Sequence, residues 1–200
     1  MPDVRAFVAS MLIGFVLPGC AAMFVPATSD PDQKIRDAAM LYDQQQRPLP
    51  AERLIREAIE IYRERKNDLG LAEAYRNYGF FFRSSAVKKL HKHYQSNGFM
   101  EKDATYETRY EKSISYFEKS ATILEKYQKH DVLSNIYLNM GFTYEFANQP
   151  EKACDEYKKT LMSNQRNLKV NPEAKASLPE GYSTFEAYVT AIMERLKCAT

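Results

Sequence analysis

Three cysteines, three histidines and 26 carboxylates are the residues of this 200-residue chain that could carry chemistry. The histidines do not form a metal site. His91 and His93 stand two residues apart and so point to different sides of a helix, and His130 has no carboxylate-and-cysteine cluster beside it. There is no Gly-rich phosphate loop, no H-E-x-x-H and no G-x-S-x-G. Most acids sit beside or near a lysine, as in Glu101-Lys102, Glu111-Lys112, Glu118-Lys119 and Glu151-Lys152, where solubility and weak pairing of roughly 0.2–0.5 kcal/mol are their expected work. The residue chemistry therefore reads as non-catalytic, with no metal and no cofactor. What remains are the thiols of Cys20, Cys154 and Cys198.

The elements that must position these residues are all helical. Asp30-Pro31 is a cap followed by proline at the tolerated first position, and Ile35, Ala38, Ala39 and Tyr42 follow at helical spacing. Arg47-Pro48-Leu49-Pro50 opens a second helix with Leu54, Ile55, Ala58, Ile59 and Tyr62 on one face. Asn67 to Gly70 is a turn. A third helix is expected from Leu71 to His93, broken by Gln95-Ser96-Asn97-Gly98, and a fourth from Lys102 to Lys129. A fifth covers Val132 to Ala147, a tight turn Asn148-Gln149-Pro150 follows, and a sixth covers Glu151 to Asn167. After a longer connection from Asn171 to Gly181, Ser183-x-x-Glu186 is a capping box for a last helix that ends near Cys198. No alternating run of strand length stands out, so the fold class is all-α.

Cys20 closes the run Leu17-Pro18-Gly19-Cys20 directly after the apolar stretch Ala6 to Leu17. This pattern resembles the lipobox of a bacterial lipoprotein signal peptide. The apolar run is about 12 residues, or roughly 18 Å as a helix, which suits a signal peptide and falls short of a membrane span. Asp3 weakens the positive n-region, and Pro18 stands where a small residue is usual. An ordinary secretory signal, or a buried N-terminal helix with a chance cysteine, stays open as an alternative. The resemblance implies removal of residues 1–19, acylation (palmitate-type lipidation) of Cys20, a tether over residues 20–29 and a folded domain over 30–200. Ala21 after the cysteine is compatible with a periplasm-facing anchor in the outer membrane of a Gram-negative bacterium, where aspartate would have implied retention in the inner membrane. With Cys20 acylated, Cys154 and Cys198 are an even pair, and in an oxidising compartment they are either a disulfide or two free thiols.

The helices also carry a repeat. Tyr137-x-x-Met140-Gly141-x-x-Tyr144 followed by Ala153-x-x-x-Tyr157 resembles the tetratricopeptide pattern. Tyr75-x-x-Tyr78-Gly79-x-x-Phe82 repeats its first half, with Ser113-x-x-x-Phe117 as a late second half. Ala39 and Ala58-x-x-x-Tyr62 outline a degenerate first repeat. Gly79, Gly141 and Ala153 are places where two antiparallel helices can approach closely. The resemblance implies a stack of antiparallel helix pairs over about Asp30 to Asn167. Ser113-x-x-x-Phe117 lies about 22 residues later than the family spacing, a departure read as an extended hairpin between helices three and four, and the final helix is expected to cap the stack.

What the family resemblance implies for function is binding. The groove side of helix three would show Glu73, Arg76, Phe80 and Arg83, and that of helix five Asn135, Leu138, Phe142 and Phe146, with Asn77 and Asn139 in matching slots. Arg76, Asn77, Phe80, Arg83, Leu138, Asn139, Phe142 and Phe146 are therefore the expected partner-binding residues. Packing inside the fold is the competing explanation for these aromatics. The cluster Lys88, Lys89, His91, Lys92, His93 and Lys102 is expected at the tip of the long hairpin. Charged residues are 27% of the chain with both signs interspersed and a net charge of +2, which does not call for nucleic acid. The expectation is a lipid-anchored, non-catalytic adaptor that binds a protein or peptide partner in the cell envelope and serves pilus, secretion or outer-membrane assembly. The alternative is an immunity or inhibitor protein that occludes a periplasmic toxin or enzyme.

Overall fold

The computed structural model describes residues 25 and 27–199. Cys20 and the segment expected to precede it lie outside the described residues. Among the described residues there are nine α-helices, one π-helix and no strand. None of these helices is long and apolar enough to cross a membrane.

Helix α1 (Pro31–Ala39) starts where Asp30 accepts the Asp32 amide at 3.0 Å, and it runs without a break into a π-helical turn, Met40–Gln44. Then come α2 (Pro48–Glu64), α3 (Asp68–Phe82), two short helices α4 (Ser85–Lys89) and α5 (His91–Asn97), α6 (Arg109–Lys126), α7 (His130–Phe146), α8 (Pro150–Val170) and α9 (Phe185–Arg195). One turn geometry recurs between the long helices. Lys66, Gln128 and Asn148 each take positive φ two residues before the next helix begins. The following amide then reaches back five residues, Asn67 to Tyr62, Lys129 to Leu124 and Gln149 to Tyr144, at 2.9–3.0 Å. This satisfies helix-end carbonyls in the manner of a Schellman cap. Gln46 makes the same turn after the π-helix. There the Arg47 amide reaches back six residues to Leu41, so the π turn contributes the one extra residue.

Side-chain pairings show that consecutive long helices run antiparallel. Asp32 meets Tyr62, and Lys34 meets Glu57 at 2.5 Å, across α1 and α2. Arg63 meets Tyr75 and Glu52 meets Tyr78 across α2 and α3. Between α3 and α6, the Ser113 and Ser120 hydroxyls donate to the Gly79 and Ala72 carbonyls, both at 2.7 Å. Ser163 and Ser134 do the same from both sides of the α7–α8 pair, toward His130 and Thr160. These buried hydroxyls can reach a helix carbonyl because the residues between the axes are small. Gly79 lies under the Phe117 ring and Gly141 under the Tyr157 ring, and a Cβ on either glycine would come within 3.0 Å of ring carbons. Gly70 holds the Tyr62 ring in the same way. In α1 the fully buried small residue is Ala38, whereas Ala39, expected in that role, is partly exposed.

The third and fourth helices differ from the sequence expectation. Helix α3 stops at Phe82 rather than His93, and α6 begins at Arg109 rather than near Lys102. Extended Ser84 caps a new short helix by accepting the Val87 amide at 3.3 Å. The segment then folds back because it carries core residues. Tyr94 and Phe99 stack at 4.2 Å within the first hydrophobic cluster. The Met100 amide donates at 2.8 Å to Glu52, which is only 1% exposed and also accepts from Tyr78 at 3.0 Å. The basic cluster from Lys88 to Lys102 thus lies on short helices and a loop packed against α2 and α3, not at a projecting tip. The last helix is capped by Thr184, which accepts the Ala187 amide at 3.0 Å, in place of the expected Ser183. Cys154 and Cys198 are joined, with Cα atoms 5.5 Å apart, which ties the end of α9 to α8.

Two tests follow from this packing. Gly141→Ala gains helix propensity of up to about 1 kcal/mol but forces the buried Tyr157 ring to move, at about 1–3 kcal/mol. Denaturant titration should show net loss of stability, and a stabilised variant would contradict the packing. For Glu52, burial raises the carboxyl to about 7, although the bonds from Tyr78 and Met100 favour its anion. A raised value means that stability is fully present below the ordinary value near 4.5 and is lost as pH rises through 7. Relative to Glu52→Gln, the native protein should lose about 3 kcal/mol across that window. A pH-independent difference between the two proteins would contradict it.

Candidate functional site

The equivalent positions of α3 and α7 set the site. Asn77 and Asn139 each stand two residues before a buried glycine, and each turns its amide back to the carbonyl four residues earlier, Glu73 at 3.0 Å and Asn135 at 2.8 Å. Neither amide nitrogen is presented to solvent as a free donor. Arg76 is held in a fork by Glu73 at 2.8–2.9 Å and reaches Asn135 at 3.4 Å, which links α3 to α7. Leu138 is buried in the third cluster against Val189 and Ile192 of α9. The expected groove residues thus divide. Asn77 and Leu138 belong to the interior, and Arg76 is occupied in an ion pair.

Phe80, Arg83, Asn139, Phe142 and Phe146 come together. They line a cleft of about 660 Å³ with Ala39, Tyr42 and Asp43 from α1 and its π turn, and with Ser84 and Ser85 beyond α3. That volume lies within the range of pockets that take a drug-sized ligand. Four of its walls are aromatic: Tyr42, Phe80, Phe142 and Phe146. Phe80 packs edge-on to Phe117 at 5.1 Å, which fixes its ring, and Tyr42 packs edge-on to Phe81 at 6.1 Å. Phe146 is 57% exposed and touches Tyr110 at 6.0 Å. Burial, then the neighbouring Asp43 carboxylate, raise the Tyr42 hydroxyl, so it stays protonated as a donor.

Arg83 is the cation of the cleft. Its guanidinium carbon lies 5.2 Å from the Phe80 ring centre, 5.7 Å from Phe117 and 5.8 Å from Phe146. It donates to the Asn139 side-chain oxygen and to the Asn139 carbonyl. Burial lowers it to about 10. Among the described residues no carboxylate pairs with it. The arrangement can hold an apolar side chain between aromatic walls and offer donors from a fixed cation. It contains no nucleophile–base pair, and among the described residues no cluster of His, Cys, Asp and Glu could hold a metal ion.

The sequence reading did not include Tyr42, Asp43, Ser84 or Ser85 in this surface. Tyr42 read as an ordinary core position at helical spacing, and the π turn that aims it at the cleft leaves no mark in the hydrophobic pattern. Compared with known proteins, the chain matches no family model, no curated protein and no solved structure.

The two explanations for these aromatics make different demands on stability. Phe146→Ser should leave unfolding free energy within about 0.5 kcal/mol of the native value, because its ring serves the surface. Phe80→Ala should cost about 2 kcal/mol, because its ring packs on Phe117. Equal large losses in denaturant titrations would make Phe146 a packing residue and remove it from the site.

Proposed function

We propose that this chain is a non-catalytic, protein-binding adaptor of the bacterial cell envelope, built as a tetratricopeptide-like stack and anchored by lipid on Cys20 to the periplasmic side of the outer membrane. The pairs α1–α2, α3–α6 and α7–α8 would be three repeats, with α4, α5 and the following loop inserted in the second, and α9 would cap the last. The glycine and aromatic positions of α3 with α6 and of α7 with α8 support the repeat reading. The lipobox-like run before Cys20 and a disulfide suited to an oxidising compartment support the location. The observation that carries the function is the cleft where α1, α3 and α7 meet, because an open, aromatic surface with one fixed cation and no reactive group suits a side chain of a protein partner. The partner would be an envelope component of pilus, secretion or outer-membrane assembly.

The test uses the full chain in living cells, with a photo-crosslinking phenylalanine analogue at Phe146 and, as control, at exposed Lys158 on α8. Crosslinks to envelope proteins from Phe146 alone are expected. Equal capture from both sites would contradict docking at the cleft. Recovery of one tight partner, an enzyme or toxin whose activity is blocked, would replace assembly by inhibition. For the anchor, Cys20→Ala should release the chain from the membrane fraction, and mass spectrometry should find acyl chains on Cys20. An unmodified, membrane-free native chain would overturn the lipoprotein reading.

A further inference from the structure

Arg83 differs from six arginines whose charge a carboxylate balances. Arg36, Arg53, Arg56, Arg63, Arg76 and Arg195 each stand within 4.0 Å of a carboxylate. All of these except Arg76 have side chains more than a third exposed. Arg83 is partly buried among three aromatic rings, and its hydrogen-bond acceptors are two oxygens of the neutral Asn139. A guanidinium has five N–H groups, and Asn139 engages one on each terminal nitrogen. Removing a cation from water without a counter-charge is costly, and a carboxylate that arrives with its own apolar neighbours offsets that cost with charge-assisted bonds.

The position of the cation narrows what can arrive. The Arg83 guanidinium carbon lies 5.2 Å from the Phe80 ring centre and 5.8 Å from that of Phe146, so apolar surface is available beside a bound carboxylate. Asp43 also lines the cleft and is exposed. Its charge disfavours a run of acids and favours a single one. The volume of about 660 Å³ takes several side chains, not one small ion.

Building on the adaptor reading above, we propose that the cleft receives a continuous protein segment in which one aspartate or glutamate side chain is flanked by aromatic or large aliphatic residues, the carboxylate bonding to Arg83 and the apolar side chains lying against Tyr42, Phe80, Phe142 and Phe146.

The probe is a peptide blocked at both ends with a phenylalanine-glutamate-phenylalanine core, followed by fluorescence anisotropy against the full chain. Three companions are a glutamine version, an aspartate version and a glutamine version with a free C-terminal carboxylate. The blocked glutamate or aspartate peptide should bind about tenfold more tightly than the blocked glutamine one, a difference of about 1.4 kcal/mol. Arg83→Met should erase that difference while its circular-dichroism melt stays cooperative, and Arg83→Lys should retain part of it. Equal affinity for glutamate and glutamine peptides, an unchanged preference in Arg83→Met, or no binding of the acidic peptides would overturn the proposal. Preference for the free-terminus peptide would also overturn it, assigning the site to chain ends. A concentration-dependent dimer in sedimentation that Phe142→Ser abolishes would overturn it as well, assigning the cleft to a second copy. If crosslinking from Phe146 continues undiminished in Arg83→Met, the adaptor reading stands and the acidic segment alone is wrong.

Discussion

An aromatic ring seated on a glycine is the contact on which the structure depends. Phe117 covers Gly79 and Tyr157 covers Gly141, and four residues before each ring stands a small residue, Ser113 or Ala153, with no exposed surface. The small side chains bring two helix backbones close enough for Ser113 to donate to the Gly79 carbonyl. The ring then fills the space that the absent side chain leaves. Close-packed interiors tolerate little change in volume at such a point, so the contact fixes both spacing and register of the pair. It also explains why buried serines suit this fold: Ser113, Ser120, Ser134 and Ser163 each donate across a gap, so none of these hydroxyls is stranded.

The register carries through to the site. Because α3 and α7 are each held at their glycine, the residues following the glycines, Phe80 and Phe142, come to the same cleft. Four residues after the glycines the helices diverge. Glu145 accepts from Tyr157 at 2.5 Å and pairs with Arg195 of α9, while its counterpart Arg83 has only Asn139. The C-terminal helix thus closes the charge balance at Glu145, fastened there by the Cys154–Cys198 bond. The end nearer α1 keeps an uncompensated cation among rings. The difference between the two ends, more than the helical scaffold, gives the chain a chemically distinct surface.

Local signals were readable in the sequence. Pro31 and Pro48 mark helix starts, and Gly79, Gly141 and Ala153 mark close approaches, because each acts through its own backbone or immediate neighbour; Pro150, expected in the turn, is the first residue of α8. The misread features depend on contacts distant in sequence. Nothing near Phe82 says that the helix must stop there. Its end follows from Ser84 capping a new turn, from Tyr94 and Phe99 being drawn into the first core cluster, and from the Met100 amide bonding Glu52, nearly fifty residues earlier. Leu138 looked like groove surface because α9, which covers it, begins beyond a long connection. The cleft was half legible. Phe80, Arg83, Asn139, Phe142 and Phe146 are positions that the repeat resemblance implied, whereas Tyr42 and Asp43 join them through a π turn with no compositional signature.

The ring-on-glycine contact can be measured directly by a double-mutant cycle of Gly79→Ala and Phe117→Ala, read by denaturant unfolding. If the ring occupies the space above Gly79, removing it leaves room for the added methyl, and the two losses should fall short of additivity by about 1–2 kcal/mol. Additivity within about 0.5 kcal/mol would mean that the two residues do not touch, and would contradict the packing on which the cleft rests.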